Sequence, residues 1–274
     1  SLSRVAVPLF FMLSGYLLLG KDESLQDILL KRIRRIIVPL IAWSVFYILW
    51  GSRNTGLDQI AVEHWIRVIV APVHFHLWFL YALLGIYLCL PVLRLIVRCA
   101  DKNLLYYVLI LWFISVSGLP FLEKVLGASS EIDLALTSGY MGYLILGHLF
   151  GNIVLTRKIF YLAVLSLLLL VMATATSTYM LTLEDGGVLN RYFYKYLSPN
   201  VILMAISSFV VLRYFFTQPE KKGATHKLIK YLSSASFGIY LVHVVFLDVL
   251  YNGYLGFVLS PASFFVAYSI PVTA

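Results

Sequence analysis

Six histidines stand in a chain of 274 residues, and three have neighbours suited to proton chemistry. Imidazole takes and returns a proton near neutral pH without help from its surroundings. His243 closes the stretch Phe237-Gly238-Ile239-Tyr240-Leu241-Val242-His243, deep in an apolar run. Tyr240 lies one helical turn earlier on the same face, placed to orient the ring. The alternative is a His buried and bonded between helices. Asp248, five residues on, falls on a different face, either pairing with a neighbouring helix or nearing the surface. His76 sits in His74-Phe75-His76-Leu77-Trp78-Phe79-Leu80 at the head of another apolar run. Trp78 and Tyr81 are of the interfacial aromatic type, so His76 reads either as a ligand contact or as a wetted interface residue. His74 and His76 as a metal pair have the i, i+2 spacing of a strand, with no third ligand nearby. No metal is expected. His148 stands among Gly142, Gly147 and Gly151, where Gly147-x-x-x-Gly151 favours close helix packing, as does Ser14-Gly15-Tyr16.

The second chemical feature is cationic. Lys31-Arg32-Ile33-Arg34-Arg35 precedes Pro39 at the start of an apolar run. Arg32 and Arg35, three apart, are predicted to share one side and reach a single polyanion, and guanidinium forks suit phosphates. The competing reading is an anchor for lipid headgroups. Cys89 and Cys99, ten residues apart on one predicted helix, stand about 15 Å from each other, too far for a disulfide. Neither a Gly-rich phosphate loop, a paired-His zinc motif nor a Gly-x-Ser-x-Gly elbow occurs.

These residues must be positioned by membrane helices. Hydrophobic types make up 61% of the chain and charged types 12%, with a mean hydropathy of +0.90; a water-soluble domain carries about twice that charge. Nine apolar runs are predicted: Val5–Gly20, Ile36–Gly51, Leu77–Val97, Leu104–Leu119, Tyr140–Val154, Ile159–Leu181, Val201–Phe216, Phe237–Leu255 and Ala262–Ala274. They do not alternate apolar with polar, so they read as helices rather than barrel strands. Of the 21 Lys and Arg, 15 fall on every second loop and 6 on the others, which places the richer set in the cytoplasm. Topology and anionic lipid thus account for the net charge of +8, and nucleic acid is not an expected partner. A topology that begins outside implies a missing earlier span, so the reading is one membrane domain over 1–274, truncated at both ends. The fold class is an all-α polytopic bundle with about nine spans of an expected ten.

Five motifs then carry a resemblance. Arg4-Val5-Ala6-Val7-Pro8 through Ser14-Gly15-Tyr16, Arg32-x-x-Arg35, His76-Leu77-Trp78-Phe79-Leu80, Gly139-Tyr140-Met141-Gly142-Tyr143 and Gly238-Ile239-Tyr240-Leu241-Val242-His243 follow one another as in the acyltransferase-3 family of integral membrane acyltransferases. The chain looks closest to bacterial O-acetyltransferases that decorate surface polysaccharides. The resemblance implies transfer of an acyl group, usually acetyl from acetyl-CoA, to a hydroxyl of a cell-surface or lipid-linked glycan, in the bacterial plasma membrane. No permanently bound cofactor is implied; acyl-CoA is the donor substrate, and the other partners are the glycan acceptor and membrane lipid. By the same resemblance Arg32 and Arg35 neutralise donor phosphates, with Trp78 grouped beside them. His76, Tyr240 and His243 line the reacting cavity with Trp78, and Arg4 approaches the reaction from the outer side. The family's main catalytic His belongs to a helix that this stretch of chain does not include. The rival expectation is a multi-pass transporter or flippase of a small molecule or glycolipid, which also uses about ten helices; no internal repeat of the transporter kind is evident.

Overall fold

The computed structural model describes residues 2–53, 56, 65, 66, 68, 71–126, 139–217 and 224–251. Among them every regular element is helical. Six helices are long and apolar enough to cross a membrane: α2 (Leu25–Ser52), α3 (Phe75–Cys99), α4 (Lys102–Leu126), α6 (Arg157–Glu184), α7 (Tyr192–Phe216) and the Ile229–Tyr251 portion of α8 (Ala224–Tyr251). Two shorter apolar helices, α1 (Ala6–Leu18) and α5 (Met141–Gly151), complete the set. This is an all-α polytopic membrane protein. Eight of the nine predicted runs are helices. The ninth, Ala262–Ala274, lies outside the described residues, as does the Lys221–Lys222 stretch.

The surface explains the solvent. Along α6, Leu165, Leu168, Leu169 and Met172 are more than half exposed, and only Ala163, Thr174 and Thr178 are buried. So much exposed apolar surface suits acyl chains, not water. Polar groups turn inward instead. Thr174 donates to the Leu170 carbonyl at 2.7 Å and accepts from Asn200 at 3.0 Å, and Ser207 bonds Ser166 at 3.2 Å, tying α6 to α7. Such bonds between helices are worth about 0.6 kcal/mol each in a bilayer.

The chain divides into two compact units. One comprises residues 1–23 and 89–219, with α1, α4, α5, α6, α7 and the last turns of α3; the other comprises residues 24–88 and 220–274, with α2, the first half of α3 and α8. In the first unit α1 and α5 meet backbone to backbone. A Cβ built on Gly15 would lie 2.0 Å from the Leu144 carbonyl oxygen, and one on Gly147 would lie 1.8 Å from that of Met12. Only glycine permits this approach. Gly142 and Gly151 receive the rings of Trp112 and Tyr16 in the same way. The expected packing role of this glycine set is what the structure displays.

The other conspicuous feature of that unit is a buried cation. Arg94, 4% exposed, donates from Nε to the Leu18 carbonyl at 2.9 Å and from a terminal nitrogen to Glu23 at 2.9 Å. Arg98 pairs with Asp22 and donates to the Lys21 carbonyl at 3.0 Å. Together they satisfy carbonyls at the end of α1, which the helix itself leaves open. Arg213 does likewise for α5, donating to the carbonyls of Phe150 and Ile153.

Candidate active site

The three elements of the second unit bring together residues far apart in the chain. α8 supplies Tyr240 and His243; the short 3-10 turn Phe75–Leu77 opening α3 supplies His76, with His74 just before it; α2 supplies Tyr47. Ring centroids lie 5.1 Å apart for His74 and His76 and 5.4 Å apart for His76 and His243. Three imidazoles therefore stand in one cluster. Tyr47 packs against two of them, at 4.8 Å from His74 and 5.0 Å from His76, and its hydroxyl donates to the Leu241 carbonyl at 2.7 Å. That bond fixes α2 to α8 just beside the rings.

Hydrogen bonding orients each ring. His243 Nδ1 lies 2.6 Å from the Tyr240 carbonyl. A carbonyl only accepts, so Nδ1 carries the proton and the neutral ring offers a bare lone pair at Nε2. Tyr240 does orient His243, as the one-turn spacing predicts, but through its backbone. Its hydroxyl instead donates to the His76 carbonyl. His76 is 4% exposed, and its Nε2 is buried without a hydrogen bond of normal geometry. His74 Nδ1 and His76 Nδ1 lie 3.2 Å apart. Burial pushes His74 below the ordinary imidazole range, helped by His243 and opposed by the Asp248 carboxylate. His74 is therefore neutral at pH 7.

A polar cap follows the cluster along α8. Asp248 accepts from Trp50 Nε1 at 2.7 Å and pairs with Arg53 at 2.5 Å, while the Arg53 guanidinium stacks 4.0 Å from the Trp50 ring. Asp248 thus pairs with a neighbouring helix, one of the two outcomes its position allowed. Trp78 is half-buried at the start of α3, its ring 6.2 Å from that of Phe79, which in turn meets Tyr240 at 5.6 Å. Arg32 and Arg35 occupy the opposite end of α2, roughly 20 Å from Tyr47 by helical rise. Residues 28–33 wind as a π-helix there, and Arg32 is half-buried while Arg35 is exposed. Arg4 belongs to the first unit, where its guanidinium reaches the Tyr196 hydroxyl at 3.4 Å and lies near the Tyr194 and Tyr196 rings.

Comparison with protein-family models decides the class of the molecule: an acyltransferase domain model matches residues 1–274. The chain belongs to the acyltransferase-3 family. No curated protein and no solved structure matches the chain. Membership makes it a multi-pass membrane acyltransferase, as its helices and motif order suggest.

For an acyltransferase the cluster is chemically apt. It offers imidazoles oriented by hydrogen bonds, and no group of three or more His, Cys, Asp or Glu among the described residues is arranged to hold a metal ion. Of the expected reacting residues, His76, Tyr240 and His243 converge. Sequence reading missed His74 as a partner of His76, and missed Tyr47, Trp50 and Arg53 altogether. Tyr47 carried no signal, being one tyrosine among 19. His74 was visible, but its contact depends on the 3-10 turn that folds the i, i+2 pair together.

Proposed function

We propose that this acyltransferase moves an acyl group, acetyl in the first instance, from acyl-CoA to a hydroxyl of a cell-surface or lipid-linked glycan at the bacterial plasma membrane. The observation that carries the reading is the His243 ring, whose Nδ1 proton is held by the Tyr240 carbonyl and whose centroid lies 5.4 Å from that of His76. A base of this kind removes the acceptor proton as the oxygen attacks the thioester carbonyl. The C–O bond forms, the C–S bond breaks, and the departing thiolate is protonated to the free thiol. Arg or Tyr donors stabilise the intermediate oxyanion. Arg32 and Arg35 bind the donor phosphates from the cytoplasm, where the loop charges put them. Trp78 lines the path between donor and histidines. The length of α2 separates the phosphate end from the reacting end, as an extended thioester donor requires.

The test uses the full-length protein in membranes supplied with isotope-labelled acetyl-CoA, with glycans analysed by mass spectrometry. Label on a glycan hydroxyl, lost in Arg32→Gln/Arg35→Gln, is the expected result. Glycolipid crossing the membrane with no label incorporated would instead make the molecule a flippase.

A further inference from the structure

The resemblance gives His74 no role, yet its geometry makes it chemically inseparable from His76. Two imidazole nitrogens 3.2 Å apart share a hydrogen bond only when one carries a proton and the other a lone pair. The two neutral rings are therefore coupled. With the shared proton on His76 Nδ1, His76 presents a bare Nε2 and His74 bears its proton at Nε2. With the shared proton on His74 Nδ1, the assignments reverse. A proton arriving at His76 Nε2 drives the shared proton across to His74 Nδ1, and His74 then releases its own from Nε2. Neither ring keeps a charge, and no heavy atom has to move.

We infer that His74 and His76 form a two-imidazole proton relay, in which His74 sets the tautomer of His76 and carries away the proton taken from the acceptor hydroxyl. This rests on the acyl-transfer reading given above. The hydroxyl proton passes to His76 Nε2, directly or from His243, and leaves from His74 Nε2 to water. The leaving thiolate takes a proton from water, so alcohol and thioester yield ester and thiol with atoms and charge in balance. His74 is thus a positioning and relay residue that acts through His76.

The surroundings favour a neutral relay over a stored cation. The groups facing His74 are Tyr47 from α2, His76 from the turn itself and, from α8, His243 and Asp248, the last already paired with Arg53. Burial and the neighbouring imidazole oppose a charge on His74, and the one carboxylate is shared with a guanidinium and an indole. A net proton is therefore passed on more readily than held. A purely structural role for the pair requires only the hydrogen bond, and that difference can be measured.

The experiment uses the full-length protein in bilayers with 15N-labelled histidine. Solid-state NMR of the wild type is expected to show coupling between the two Nδ1 nuclei through their hydrogen bond; its absence overturns the relay whatever the activity. His74→Asn keeps an amide able to bond His76 Nδ1 but unable to pass a proton. Its kcat is expected to fall about 10-fold or more, with the donor KM unchanged and the pH profile of kcat displaced. Wild-type kcat and profile in that variant would assign His74 to structure alone. Should the wild type show the coupling and transfer no acyl group, the acyl-transfer reading fails and the relay's task fails with it, while the hydrogen-bonded pair stands.

Discussion

At the residue scale, His243 and Tyr240 have separable tasks. His243→Ala removes the bare Nε2 and is expected to lower kcat by about 100-fold or more, while the amount of folded protein in membranes is unchanged; loss of folded protein instead would make the ring structural. Tyr240→Phe removes the bond to the His76 carbonyl and leaves the carbonyl that holds His243. A smaller loss, about 5-fold in kcat, is expected, since one hydrogen bond is worth about 1 kcal/mol. His74 supplies a pH prediction. Its pKa is lower folded than unfolded, so the unfolded chain binds the proton more readily. Its contribution to stability is complete above the ordinary imidazole pKa of about 6.5 and declines as pH falls below it. Melting of the purified protein at pH 7.5 and 5.5 should show a lower midpoint at the acidic value, with the difference reduced in His74→Asn. The sequence makes His76, Tyr240 and His243 legible because imidazoles in apolar runs are costly. It does not show that they meet, since positions 76 and 243 are joined only through tertiary packing of α2, α3 and α8.

At the scale of elements, glycine contacts divide into tight and open. Gly15→Ala and Gly147→Ala drive a methyl into a neighbouring backbone and are expected to cost at least about 1–3 kcal/mol. Gly238→Ala, where nothing lies within 4 Å, should be neutral or slightly stabilising, because alanine favours the helix by up to about 1 kcal/mol. Thermal melting in detergent ranks the three. Arg94 calls for a paired test. Arg94→Met removes the buried guanidinium paired with Glu23 and is expected to cost about 3 kcal/mol, whereas adding Glu23→Gln recovers much of the loss. Additive losses would show that the pair is not coupled. Element boundaries were legible where apolar runs end at polar residues, as at α5 and α6. They were missed where polar sequence remains helical. α2 begins at Leu25 rather than Ile36, capped by Ser24 accepting from the Asp27 amide at 3.1 Å. α4 runs on past Pro120 because residues 114–118 widen into a π-turn, which relieves the clash and missing donor of an internal proline.

At the scale of the whole molecule, loop charge predicts sidedness. A tag inserted at Lys222 should be reachable only from the cytoplasm; labelling from outside intact cells would invert the assignment. Membrane class was legible from hydropathy alone, because exposed leucines such as those of α6 are intolerable in water. The division into two units was not, since each draws on segments from distant parts of the chain. The glycine seam of α1 and α5 also constrains the order of assembly. At synthesis rates of 5–20 residues per second, Leu144 leaves the ribosome on the order of ten seconds after Gly15. Throughout that interval α1 waits in the bilayer with its groove unfilled, so a ribosome pause between the two segments, or a lipid that wedges into the groove, delays maturation without altering one contact of the finished protein.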